Sequence, residues 1–558
     1  MDTENPAEEL DVEIQGVKVS SLRNISKEFE GGKIYEIKKL KLYGTDVLVA
    51  NGIDADSQLI YRIVEPEIDE DTRKIINFIT KERSLLLMDI DNTSGTEKHV
   101  EDKIMEFLTQ HYGEVDNALL WKVFYYMKKE FIGAGDIDVL FADPRIEDIS
   151  LSGEGQAVYV MLPGSDLSKE GYYATDIRPV GPSYEKLLLR VGQIADLIPS
   201  YLTPILDGTI RKNQNRVNLI YGNQVSPFGG AFTIRSVKET PLTFADLIVG
   251  KEINVEMAAW LWFLVEKGAS ILIFGSTGSG KTTLLNALLF FVPRGRKIVV
   301  IEDTRELRLT AGSNWMVGIT RKPSTLEQTF RVITLHDQLV SALRMRPDYI
   351  TVGEIRGSEA YTLFDAMSSG HTGLGTVHAG SLQDLMNRFA GGMNKEGGMY
   401  VPPALQNSVD VLIHISQVIL PETGTFQRRR VLNIWENKPV ELRTKGVGIS
   451  EIYPEFVRDR SGNGLFSYDA VTDTFTGLSS ELLEGYLADY YGRRDGMSHE
   501  EVLKDLNRRA TVINYVVAER SKLNPFQIQL ILNYYTTTKK LKDEWKKYAV
   551  NLPYSGGI

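Results

Sequence analysis

Along this chain the spacing of apolar positions changes character several times, and each change marks a predicted element. Val17 to Ile63 alternates short β-branched and polar runs, among them the apolar triplet Val47-Leu48-Val49, broken by glycines. That pattern predicts a small strand-rich module. From Glu67 to about Glu130 the period lengthens to that of helices, with Ile75, Ile76, Ile79, Leu85 and Leu86 in one segment and Leu119, Leu120, Val123, Phe124 and Met127 in another. Ile137 to Met161 returns to strand-like runs around Asp143-Pro144 and Gly153. A helix through Tyr184 to Leu197 and strands through Val217 to Ile234 follow, and this α+β domain ends near Pro241.

Beyond Pro241 an apolar helix (Met257 to Val265), an apolar strand (Ser270 to Phe274), a glycine loop, a helix (Thr282 to Phe291) and a strand (Lys297 to Glu302) come in close order. Such alternation predicts a parallel sheet with crossover helices. Arg428 to Tyr490 reads as mixed β structure. Ser498 with Glu501 makes a capping box for a helix towards Ser521, and Asn524-Pro525 breaks it and opens a last amphipathic helix. The expected organisation is an acidic tail (1–16), an accessory region first β-rich and then helical (17–130), an α+β domain (131–240), an α/β domain (241–427) and a mixed C-terminal extension (428–558).

Composition narrows the classes. A chain of 558 residues is too long for one ordinary core, and 42% apolar with 25% charged residues is globular usage. The longest apolar stretches are too short to cross a bilayer, and Met1 to Gly16, with six acidic side chains and no basic one, lacks a secretory pattern. A cytoplasmic protein is expected. The absence of cysteine removes disulfides, thiolate catalysis and Cys-based zinc sites. A net charge of -11 argues against a surface that grips nucleic acid throughout.

The strongest chemical signal is Gly275-Ser276-Thr277-Gly278-Ser279-Gly280-Lys281-Thr282, a complete phosphate-loop pattern between an apolar strand and a helix. Its glycines let successive backbone N–H groups turn around phosphate oxygens, and the helix N-terminus adds the positive end of its dipole. Lys281 is expected to reach the β- and γ-phosphates and Thr282 to ligate magnesium, with Thr283 beside it. Two acidic clusters are candidates for positioning water. Glu302-Asp303-Thr304-Arg305-Glu306 follows a strand, where α/β folds gather their ligands, and Glu306 is the candidate base. Read alone, these are equally solvated loop charges. The second cluster ends the apolar run Tyr349 to Val352 in Gly353-Glu354-Ile355-Arg356. There Glu354 is a candidate for the magnesium shell and Arg356 or Arg344 for offsetting charge, against the alternative of a strand-end salt bridge. His371 and His378 lie in a glycine-bearing segment seven residues apart without companion ligands, which fits γ-phosphate contacts better than zinc.

With these four marks in this order, the chain resembles the superfamily of ATPases that power type II secretion, type IV pili, type IV secretion and the archaeal flagellum. The resemblance runs from about Gly133 to Val418 and includes Asp143 to Ile149 and Arg216-Val217-Asn218. It implies a RecA-like ATPase domain preceded by an α+β N-terminal domain, ATP and Mg2+ as ligands, and a homo-hexamer. It also implies a polytopic membrane platform protein as partner, with further motor subunits and peripheral membrane association. Arg216 and Arg235 match the N-terminal-domain arginines that reach the nucleotide in this superfamily, with Arg211 nearby; Thr209 to Asn215 departs from the usual Leu-Pro-Asp-Gly-Ser turn. Asn314-Trp315 and Ala259 to Trp262 look most like the archaeal branch, which serves archaella or archaeal pili. Two rivals are a RecA-like nucleic-acid translocase, which needs a basic or aromatic channel lining, and a non-hydrolysing ATP-gated scaffold.

Overall fold

A computed structural model describes residues 29, 31–81, 96–113, 116–162, 171–210, 212–237, 241–308, 314–321, 332–391, 399–420, 427–438, 454, 456, 464–476 and 486–550. The chain divides into two compact units, Met1–Lys238 and Glu239–Ile558. Among the described residues no helix is long and apolar enough to cross a membrane.

The first unit is built on a nine-stranded sheet. Its strands are β1 (Lys33–Leu42), β2 (Thr45–Ile53), β3 (Leu59–Val64), β4 (Asp148–Leu151), β5 (Tyr159–Leu162), β6 (Gly171–Thr175), β7 (Ile205–Thr209), β8 (Arg216–Ile220) and β9 (Ala231–Arg235). Their spatial order is β1-β2-β3-β6-β5-β4-β9-β8-β7, so the strand-rich module and the strands beyond Asp148 form one sheet, joined where β3 runs parallel to β6. Val47 and Val49 of β2 enter its core beside Ile149, Val160, Val217 and Ile234. Helices Glu70–Lys81, Thr96–Tyr112 and Asn117–Phe131 form a separate cluster through Ile75, Ile79, Val100, Ile104, Val123 and Met127. Leu85 and Leu86, expected on the first of these, lie outside the described residues. One expectation fails: Asp138–Ala142, placed in a strand-like run, is a short helix. Its Asp138 carboxylate accepts the Ala134 N–H at 2.9 Å, so a local side-chain bond overrides an apolar run too short to declare its period.

The second unit carries another nine-stranded sheet, ordered β12-β11-β13-β14-β10-β15-β16-β17-β18. The strands are β10 (Ile271–Gly275), β11 (Lys297–Glu302), β12 (Asn314–Ile319), β13 (Tyr349–Ile355), β14 (Thr372–His378), β15 (Val411–Ile419), β16 (Gln427–Glu436), β17 (Phe466–Asp469) and β18 (Thr474–Thr476). The first six in spatial order run parallel, and β16 to β18 add on antiparallel. Parallel strands are buried on both faces, and every residue of β10 is buried. Alternation then sends Ile271 and Ile273 into one core and Leu272 and Phe274 into the other. Helices Val255–Lys267, Lys281–Leu289, His499–Glu519 and Pro525–Thr538 cover the first face. Leu335–Leu343, Glu359–Ser368 and Leu382–Ala390 cover the second. The helix after Ser498 starts with the expected capping box, and Asn524 caps the last long helix by accepting the Gln527 N–H at 2.9 Å. This is the fold class expected of the chain: a RecA-like α/β unit preceded by an α+β unit.

Candidate functional site: a phosphate loop at the edge of the second sheet

Strand β10 ends at Gly275, where a side chain is impossible because a Cβ would stand 2.0 Å from the Ile415 carbonyl oxygen. The chain then turns through Gly278 (φ +73°) and Gly280 (φ +97°), the left-handed region that costs glycine nothing, and enters the helix at Lys281. A Cβ on Gly280 would also meet Arg429 Cδ at 3.1 Å. Inside the turn, the Ser279 hydroxyl donates to Ser276 O at 2.8 Å. The Lys281 ammonium donates to Ser276 O at 2.7 Å and Gly275 O at 3.1 Å, so the cation is held in the loop's concavity. Burial pulls the Lys281 ammonium below its usual value, and the charges of Glu354 and Glu306 oppose that shift. Thr282 and Thr283 follow, half-buried, in the first turn of the helix.

The neighbouring parallel strands deliver their carboxyl ends to the same edge. Glu302 closes β11, is 2% exposed, and its Oε1 accepts the N–H groups of Glu306 and Leu307, both at 3.0 Å. This carboxylate therefore shapes the loop that presents Glu306, which is half-buried. On β13 the register with β14 shifts between Val352 and Ile355, and a bulge there re-aims Glu354. Thr376 fixes the bulge by donating its hydroxyl to Gly353 O at 2.6 Å. Arg356 donates to Glu354 and, at 3.3 Å, to Asp303, tying the two acidic clusters together. Burial works against the Glu354 charge, yet the hydrogen bond and charge of Arg356, aided by Lys281 and His378, hold its carboxyl below the usual range. The same hydrogen bond, to Glu354, raises Arg356. His378 ends β14 directly opposite Gly275, and its Nδ1 lies 3.5 Å from the Thr277 hydroxyl.

Two expected members are elsewhere. His371 precedes β14, whose parallel register with β10 sets Leu374 beside Ile271 and His378 beside Gly275. Seven residues of extended chain put it roughly 23 Å from His378, at the opposite edge. There its Nδ1 lies 3.3 Å from Ala366 O. Its shared glycine segment with His378 concealed that a whole strand separates them. Arg344 likewise caps the C-terminus of the helix before β13, at the strand's starting end, and takes no place beside Glu354. In the first unit, Arg216 and Arg235 are direct cross-strand partners on β8 and β9, and Asp148 faces Arg235 from β4, accepting its Nε–H at 3.0 Å. Arg211 lies outside the described residues. Sequence reasoning missed Glu302 and Asp303 as the members that shape and bridge the acidic loop. Both stood in the acidic cluster, but only their partners distinguish them from Glu306.

A buried strand, a glycine loop bent around a lysine, and carboxylates gathered at the carboxyl edge of a parallel sheet define a P-loop nucleotide-binding protein of RecA-like build. Residues 213–459 match the family model of the type II/IV secretion system proteins. A Methanocaldococcus jannaschii relative, the uncharacterized protein MJ0900, is 31% identical over 421 residues, spanning 74% of this chain and 69% of that one. The type IV secretion system protein PtlH of Bordetella pertussis is 38% identical over 183 residues, 32% of this chain and 53% of PtlH. Among solved structures, the VirB11 ATPase of the Brucella suis type IV secretion system is similar over 53% of this chain and 90% of its own, with 24% identity and a TM-score of 0.26. The chain belongs to the type II/IV secretion ATPase superfamily.

Proposed function

We propose that this protein hydrolyses ATP to ADP and phosphate at the edge of its second sheet. In this reading the reaction is coupled to closure of the two units of each protomer in a homo-hexameric ring. The supporting observation is the convergence of Lys281, Glu354, Arg356 and the Glu302–Glu306 loop on the phosphate loop. Backbone N–H groups of 276–283 and the helix N-terminus hold the phosphates, and Lys281 reaches the β- and γ-oxygens. Magnesium favours oxygen donors and keeps several waters, so the Thr282 hydroxyl and the ionised Glu354 carboxylate fit it; when bound, it neutralises phosphate charge.

Glu306 orients a water molecule and accepts its proton. The water oxygen bonds to the γ-phosphorus while the bond to the β–γ bridging oxygen breaks, and ADP leaves with that oxygen. Arg356 orients Glu354 and offsets charge on the leaving phosphate. His378 reports the loop's state through Thr277. Arg216 and Arg235 close over the nucleotide and meet its phosphate charge with charge-assisted hydrogen bonds.

The work drives assembly or rotation of an archaellum or type IV pilus-like filament, or secretion, through a polytopic membrane platform protein. The ring then works on the cytoplasmic side as a peripheral membrane component. Phosphate release tests the core of this reading. Glu306→Ala is expected to bind ATP nearly as the wild type and to lose turnover, whereas full turnover in that variant removes Glu306 as the base.

A further inference from the structure

The phosphate loop is held from outside by a pair that no motif marks. Gln417 on β15 and Arg429 on β16 are direct cross-strand partners, and both donate to one acceptor, the carbonyl oxygen of Gly278, at 3.3 Å and 3.1 Å. A trans peptide points its C=O and the following N–H in opposite directions. Pinning the Gly278 carbonyl towards the hairpin therefore helps fix which way the Ser279 N–H faces, at a glycine (φ +73°) whose missing Cβ widens the conformations open to it and where the only other hold on that peptide among the described residues is the long Ser279 N–H bond to Ser276 O at 3.4 Å. Arg429 uses only its Nε here. Its terminal nitrogens make no hydrogen bond or ion pair with a described residue.

The strand that carries Arg429 is itself anchored. Arg430, 3% exposed, donates to both Asp473 oxygens at 2.9 and 3.2 Å and to Gly250 O at 3.1 Å. The Val431 N–H donates to Glu252 O at 2.9 Å. Neighbouring residues of one strand thus grip opposite partners: Arg430 and Val431 hold the 250–252 turn, and Arg429 holds the loop.

We propose that Gln417 and Arg429 are positioning residues of the nucleotide site, a two-donor brace that keeps the phosphate loop in its binding conformation. This rests on the nucleotide-site reading above. The test uses the full chain, with MgADP titrated calorimetrically so that hydrolysis is not required, and thermal unfolding measured alongside.

Arg429→Ala and Gln417→Ala are each expected to weaken MgADP binding roughly tenfold, the effect of losing one hydrogen bond to a critical group, with melting temperatures near the wild type. Because both donors serve one carbonyl, the double variant should fall well short of the product of the two losses. Arg429→Lys keeps a donor and the charge and should recover most of the affinity. Unchanged affinity in Arg429→Ala, or losses that multiply fully in the double variant, overturns the brace. If Arg429→Ala does not fold, Gln417→Ala and Arg429→Lys carry the same decision. A wild-type chain that does not bind MgADP, or Lys281→Ala that binds as well as the wild type, sinks the nucleotide site itself. Normal binding in the wild type, lost in Lys281→Ala but insensitive to Arg429 and Gln417, sinks the brace alone.

Discussion

Lys281 is a buried cation whose hydrogen-bond partners are two carbonyls of its own loop, and an ammonium in that position is unstable without further negative charge. Glu354 and Glu306 supply part of it. In the proposed function a polyphosphate supplies the rest. Arg356 acts in another way, joining Glu354 to Asp303 and so setting the carboxylate's direction. Arg356→Ala is expected to lower phosphate release by about a hundredfold, the order seen when one preorganised charge-stabilising donor is removed, while MgADP affinity changes far less. His371 sits at the other edge of the sheet, and His371→Ala should leave phosphate release close to wild type. A large loss there would show that the opposite edge takes part in the reaction.

At the scale of elements, the C-terminal helices are part of the second unit's core and not a separate attachment. Arg509 on the helix His499–Glu519 is 0% exposed, packs over the Trp262 ring, and donates to Asp505 at 2.7 Å and to Glu266 at 2.6 Å. Lys539, beyond the last long helix, reaches the same Glu266 at 2.7 Å. Arg509 is therefore a core residue and not surface charge. Arg509→Ala leaves the buried Asp505 carboxylate without its ion-pair partner and takes one of the cations from Glu266, and is expected to cost about 3–5 kcal/mol, read as a lower denaturation midpoint at unchanged slope.

The hairpin β17–β18 depends on Asp473. The hydrogen bond from Arg430 outweighs partial burial and, with Tyr468 and Lys251, lowers the Asp473 carboxyl to about 2. A folded-state value below the unfolded one means that the stabilisation is complete above the ordinary value of 3.8 and drains away as pH falls towards about 2. The gap in melting temperature between wild type and Asp473→Asn should therefore be constant near neutrality and narrow below pH 3.8. A gap that widens on acidification contradicts the assignment.

For the whole molecule, the decisive expectation concerns the arginines of the first unit. Arg216 and Arg235 lie on the same face of a stable sheet, and neither belongs to that unit's apolar core. Alanine at Arg216 should leave the melting temperature nearly unchanged, and alanine at Arg235, whose side chain is mostly exposed, should lower it only by the small amount its Asp148 contact contributes. If the units close over ATP, either alanine should also reduce turnover by at least tenfold, the loss that follows when a charge-assisted contact present only in the closed state is removed. Turnover that stays at the wild-type level in Arg216→Ala, Arg235→Ala and the double variant argues that the reaction needs no arginine from the first unit.

The phosphate loop, both acidic clusters, the alternation of strand and crossover helix, the capping box at Ser498 and the helix start at Asn524-Pro525 were legible in the sequence because each is written in contiguous residues. Local rules of backbone freedom, period and capping act over a few positions, so they survive without knowledge of the fold. What tertiary structure alone decided is which distant residues meet. Parallel register put His378 beside Gly275 and carried His371 to the opposite edge. The packing of a helix after position 498 against Trp262 buried Arg509. The pairing of β15 with β16 set Gln417 and Arg429 on one carbonyl of the loop. Contacts between residues more than a hundred positions apart leave no periodic trace in the chain, since any segment of suitable pattern could have supplied the partner; only the assembled sheet selects it.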